Sequence, residues 1–111
     1  WELHAILDFQ SIWIKPKMKV VGRDKLAAFT QKHVDARQWI EAWLAETERA
    51  LWRTPKEIEE RYATASFLAD SIVIFNVRGN NYRLEVQIAY KTSTVVVRWL
   101  GTHAEYTKRY S

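Results

Sequence analysis

From Tyr82 to Tyr90 the chain alternates with a period of two. Tyr82, Leu84, Val86, Ile88 and Tyr90 share one parity, and Arg83, Glu85 and Gln87 share the other. Side chains on a strand point alternately to its two faces, so the segment reads as a strand with one apolar and one charged face. It has strand-like neighbours on both sides. Ile72-Val73-Ile74-Phe75-Asn76-Val77 is rich in β-branched residues and is followed by a turn at Gly79-Asn80. Lys91 to Thr94 form a second turn, and Val95 to Leu100 a third strand. The C-terminal half is therefore an antiparallel meander.

Before Ser71 the period is helical. Met18–Gly22 predicts a short strand, and Asp24 is placed to cap a helix carrying Leu26, Phe29 and His33 on one face. In the next helix Trp39, Ile40, Trp43, Leu44, Thr47 and Leu51 line one side, which makes Trp39 and Trp43 core residues. Thr54-Pro55-Lys56-Glu57 is a capping box with proline at the first helical position, opening a short helix to about Tyr62. Thr102-His103-Ala104-Glu105 repeats the capping pattern and predicts a final short helix. Helices first and strands second predict an α+β fold, with the N-terminal helices packed on one face of an antiparallel β-sheet. Residues 1–17, upstream of the sole methionine Met18, read as an N-terminal extension of uncertain origin, and residues 18–111 as the domain.

Charge narrows the partners. The formal net charge is +4. Acids concentrate between residues 37 and 61, whereas from Arg78 onward only Glu85 and Glu105 oppose Arg78, Arg83, Lys91, Arg98, Lys108 and Arg109. A basic C-terminal half suits a phosphate-bearing partner. The chain has no cysteine, which excludes disulfides, thiolate metal sites and a cysteine nucleophile, and is compatible with the expected cytoplasmic location. No stretch approaches the roughly 18 apolar residues of a membrane span, so no membrane partner is expected. Three scattered histidines, His4, His33 and His103, do not make a metal site, and no cofactor motif is present.

With a turn centred on Gly79-Asn80, Arg83 faces Asn76. With the next turn at Thr92-Ser93, Gln87 faces Arg98 and Arg83 faces Thr102. Asn76, Arg83, Gln87, Arg98 and the Thr102–His103 corner then share one sheet face. Trp99 points to the helix-covered side, and Ile72, Ile74 and Leu100 must be covered by something apolar, such as the C-terminal segment. Two guanidiniums, amides and a histidine suit a phosphodiester. Arginine offers paired donors to phosphate oxygens, which act mainly on charge developed in the transition state. Histidine moves the proton. His103, in the first turn after Thr102, feels a helix N-terminus that disfavours added positive charge, a leaning that suits a base. Tyr106, one turn on, is placed to stack on a base or act as a weak acid. The plainer alternatives are a solvated sheet face for Arg83 and Arg98, a surface residue for His103, and a solvated helix for Lys56.

Phe75-Asn76-Val77-Arg78-Gly79-Asn80-Asn81-Tyr82-Arg83-Leu84 resembles the Phe-Asn-hydrophobic-x-Gly-Asn-x-Tyr/Leu-Arg-Leu/Val pattern of HigB-type toxins, and Arg98 to Tyr106 resembles their Arg-x-x-x-Thr-His-x-Glu-Tyr ending. The Trp-x-Thr-Pro start at Trp52 and the Tyr62–Phe67 stretch are similar too. The resemblance implies a RelE-like fold, metal-independent cleavage of mRNA on the ribosome without a cofactor, and neutralisation by a helix-turn-helix antitoxin. Carried over, Arg83, Arg98, His103 and Tyr106 are the catalytic candidates, and Lys56, Asn76, Asn81 and Gln87 the RNA-binding ones. Two other classes stay open: a non-catalytic RNA- or ribosome-binding module, and an interaction protein that binds a partner chain through aromatic surfaces.

Overall fold

The computed structural model describes residues 16–110. The reading of residues 1–17 as an extension thus lies outside the described residues, apart from Pro16 and Lys17. The elements run β1 (Lys19–Val21), α1 (Arg23–Lys32), a 3-10 turn (Val34–Ala36), α2 (Arg37–Arg49), α3 (Pro55–Arg61), β2 (Ser66–Phe67), a second 3-10 turn (Ala69–Ser71), β3 (Ile72–Val77), β4 (Tyr82–Ala89), β5 (Thr94–Thr102) and α4 (His103–Arg109). The five strands form one sheet in the order β1-β5-β4-β3-β2. Every pairing is antiparallel except β1 with β5, which is parallel. The fold is α+β, as the periodicities require.

The core lies between α1–α3 and one sheet face. Leu26, Ala36, Ile40, Trp43 and Ile58 meet Val20, Val73, Phe75, Val77, Leu84, Val86, Ile88, Val95 and Val97, all buried. Fully burying one such aliphatic or aromatic side chain contributes about 1.5–3 kcal/mol, so this apolar parity determines which face of each strand turns inward. Trp43 stacks edge-on to Phe75 at 5.6 Å. The expected helical face ends two residues early: α2 stops at Arg49, and Leu51 is exposed.

Both capping boxes form. Thr54 with Glu57 starts α3, and Thr102 with Glu105 starts α4. Asp24, by contrast, does not cap α1. Gly22 does so in the left-handed region (φ 97), where a Cβ would press on Val97, and Asp24 lies in the first turn. The Arg78–Asn81 loop takes left-handed φ at Arg78 (51) and Gly79 (68) and pairs Asn76 with Arg83 as expected.

The second hairpin departs from expectation. Its loop spans residues 90–93, so Gln87 pairs with Val96 rather than Arg98. A bulge then shifts the register between Glu85 and Val86, and Arg83 pairs with Gly101 rather than Thr102. The extra residue on β5 is Arg98. Beyond it the parity inverts: Trp99 joins Glu85 on the polar face instead of the helix-covered one, and Leu100 turns inward with Leu84. The C-terminal helix packs on β4 and β5 and covers part of this polar face, and Ile74 on β3 is 1% exposed.

Candidate functional site

The polar face is built around two groups on β4. The first centres on Arg83, which is 7% exposed although charged. Its guanidinium donates to the carbonyls of Asn80 (3.2 Å) and Tyr82 (3.1 Å), to Asn80 Oδ1 (2.6 Å) and to His103 Nδ1 (3.0 Å). Its Cζ lies 5.4 Å from the Tyr106 ring centre. Arginine has no acceptor atom, so Nδ1 of His103 must carry the lone pair in this bond, and the ring hydrogen of the neutral imidazole sits on Nε2. The His103 ring is exposed, and its main-chain N–H donates to the Asn81 carbonyl at 3.0 Å. That bond seats the first residue of α4 on the Arg78–Asn81 loop.

A brace behind the loop fixes its position. Asp35, on the turn between α1 and α2, accepts from the Tyr82 hydroxyl (2.6 Å) and from Arg78 Nη1 (3.2 Å). The Asp35 hydrogen bond raises the Tyr82 pKa above its ordinary value, with burial adding to it. Tyr82 also packs on Phe29 and His33 at 5.4 and 5.0 Å. Sequence periodicity assigned Tyr82 to an apolar parity but carried no sign of Asp35, because that contact joins residues 47 apart in the chain.

The second group centres on Glu85, 3% exposed. Burial acts to raise its pKa. That effect is outweighed by the Tyr110 hydroxyl at 2.6 Å, by Arg109 Nε at 3.1 Å and by Arg98 Nε at 3.5 Å, so the net direction is down. Arg98 also donates to Gln87 Oε1 at 3.1 Å, and Gln87 Nε2 donates to the Asp70 carbonyl at 2.9 Å. Gln87 stands four residues beyond Arg83, about 13 Å along the strand. The structure thus brings Arg83, His103 and Tyr106 together, with Asn80 beside them. It gathers Arg98 and Gln87 into a separate group around Glu85.

The remaining candidates lie apart. Asn76 sits opposite Arg83 in register, half-buried. Asn81 contributes its carbonyl, while its side chain is exposed. Lys56 is exposed on α3 and has neither hydrogen bond nor ion pair among the described residues. Among the described residues no cluster of three or more histidines and acids has the arrangement of a metal site, and no helix is long and apolar enough to cross a membrane.

A cleft of about 600 Å³ opens beside the Arg83 group, lined among others by Trp39, Trp43, Tyr62, Asn76 and Asn80. No curated protein matches the chain significantly. A family model does: HigB toxin, the RelE-like toxic component of a toxin–antitoxin system, matches residues 36–109 and so takes in every residue of both groups except Tyr110.

Proposed function

The chain belongs to the HigB toxin family, the RelE-like toxic component of a toxin–antitoxin system, and from this we propose that it is an endoribonuclease acting on messenger RNA at the translating ribosome. Its partner in this reading is a helix-turn-helix antitoxin. The reaction is attack of a ribose 2′-oxygen on the adjoining phosphorus. The O2′–P bond forms, the P–O5′ bond breaks, one proton leaves the 2′-hydroxyl and one reaches O5′. The products carry a 2′,3′-cyclic phosphate and a 5′-hydroxyl.

The observation that carries this reading is the bond from Arg83 to His103 Nδ1. It joins a guanidinium, able to give paired donors to a phosphate, to an imidazole, able to transfer a proton, and this pairing supports metal-independent phosphodiester cleavage. In the free protein the guanidinium occupies the basic nitrogen. A phosphate that takes up the guanidinium releases Nδ1, so the base is uncovered as the substrate arrives. Tyr106, half-buried beneath Arg83, limits how far the guanidinium swings and offers a ring for a base to stack on. Arg98 is held by Glu85 and Gln87 and contributes positive charge along the RNA path.

Primer extension on a translated mRNA, with and without ribosomes, tests the proposal. New stops that require ribosomes, with cyclic or 3′-phosphate ends, are expected from the parent chain and are lost in His103→Ala. Ribosome binding that leaves the RNA intact, from protein shown to be folded and free of antitoxin, would reassign the chain as a non-catalytic binding module.

A further inference from the structure

The cleft beside Arg83 is not used by the chemistry above, and its lining is specific. Trp39 and Tyr62 are half-buried at its wall with ring centres 6.1 Å apart, and Trp43 forms its floor. Trp39 is therefore not the wholly buried residue that its helical spacing suggests. The ionisable groups of the lining are already matched. Glu46 takes hydrogen bonds from Arg61 and from the Tyr62 hydroxyl (2.8 Å), and Arg61 lies over the Tyr62 ring at 4.7 Å. A pocket without an uncompensated cation does not suit a phosphate. It suits a flat, neutral group with a polar edge.

Polar capacity is left over in it. Trp43 is 1% exposed, and its indole Nε1 is buried without a hydrogen-bond partner. A buried N–H without a partner is costly, and this one belongs to a side chain of the cleft lining. The Asn76 amide has no hydrogen bond among the described residues, and Asn80 uses only Oδ1, for Arg83. The Asn76 amide offers N–H donors and an acceptor oxygen side by side, the pattern that reads a nucleobase edge, and Asn80 adds the N–H donors of its amide. Position supports the same ligand. β2 pairs only with Val73 and Ile74, so the end of β3 that carries Asn76 is an open edge on this side, and the cleft opens there. Asn80 lies between cleft and guanidinium, bonded to Arg83 at 2.6 Å, within the reach of one nucleotide.

We propose that this cleft is a nucleobase pocket: it takes the base adjoining the phosphate held by Arg83, with Trp39 against the face of the base and the Asn76 and Asn80 amides on its edge. The inference rests on the ribonuclease reading and gives that site its sequence preference.

The test is NMR of isotope-labelled protein titrated with 2′-O-methyl tetranucleotides, which lack the attacking hydroxyl and stay intact. Shifts of the Trp39 and Trp43 indole N–H signals together with Arg83 and His103, differing among tetranucleotides with different bases, are the expected result. Trp39→Ala should weaken binding about tenfold, the scale of one base–aromatic stack, while Trp39→Phe retains most of it. Thermal melting verifies that both variants fold. Movement of Arg83 and His103 with still indole signals would overturn the pocket while leaving the ribonuclease site standing. No movement anywhere would overturn the pocket, and the primer-extension experiment on ribosomes decides the ribonuclease reading separately.

Discussion

Arg83 Nη2 and His103 Nδ1 lie 3.0 Å apart, and the bond joins the centre of the sheet to the first residue of the last helix. If Arg83 serves the phosphate, Arg83→Lys keeps the charge but loses the paired donors, and cleavage should fall by about 100- to 1,000-fold. His103→Ala should lose about 100- to 10,000-fold. The double variant should be little worse than the poorer single one, because the two side chains act as a unit. Single-turnover cleavage on ribosomes measures all three. Full additivity of the two losses would separate the residues into independent roles.

Asp35 touches neither Arg83 nor His103, yet it holds the loop that positions both. Asp35→Ala releases Tyr82 and Arg78, and the loop then moves with the Asn81 carbonyl that receives the His103 N–H. Amide exchange at His103 should quicken by about tenfold, while exchange in the buried middle of β4 stays near the parent rate. The Tyr82 hydroxyl should titrate at lower pH in Asp35→Ala than in the parent, since the Asp35 bond is the largest cause of its raised pKa. Tyrosine ring-carbon shifts followed by NMR report this directly. Unchanged exchange at His103 would remove Asp35 from the positioning of the site.

How much of this was legible follows from where the information sits. The Asn76–Arg83 pairing was readable because Gly79 marks a loop that needs left-handed backbone, and the register follows from the loop. The second hairpin carries no such mark. Its left-handed residue is Ser93 (φ 54), a residue type with no strong preference for that region, and the bulge at Arg98 breaks no periodicity that can be counted. Two local departures therefore moved Arg98 toward Glu85 and turned Trp99 to the opposite face. The Thr102 corner was readable because a capping box is a local pattern. Asp35, the parallel pairing of β1, the two-residue strand β2 and the cleft at Trp39 were not, since each is made by segments that meet only in the folded chain.

Gly101 shows what the inverted parity demands. A Cβ there would collide with the Trp99 indole, which lies against the glycine and carries Arg109 at 5.0 Å from its ring centre. Gly101→Ala must displace the indole, with a cost of about 1–3 kcal/mol typical of overpacking. Arg109 then loses its platform and α4 its seat. Thermal melting should show the loss, and cleavage should fall with it because His103 begins α4. Parent stability in Gly101→Ala would mean that the indole moves freely, and that the seat of α4 does not depend on it.

Glu85 makes the docking of α4 sensitive to acid. Its pKa in the folded chain lies below the ordinary value of 4.5: burial alone would raise it, but Tyr110, Arg109 and Arg98 together outweigh burial. A depressed pKa means that ionised Glu85 favours the folded state at all pH above about 4.5, and that this contribution disappears as pH falls through the lower folded value. Glu85→Gln keeps the shape and removes the charge. At neutral pH it should destabilise the protein by about 1–3 kcal/mol, toward the lower end because Arg98 and Arg109 remain partly solvated. As pH falls below the folded pKa of Glu85, the gap between parent and variant should close. Denaturant unfolding at a series of pH values measures it. A gap that persists in acid would show that Glu85→Gln destabilises for reasons of packing, and that the carboxylate does not tie α4 to the sheet through its charge.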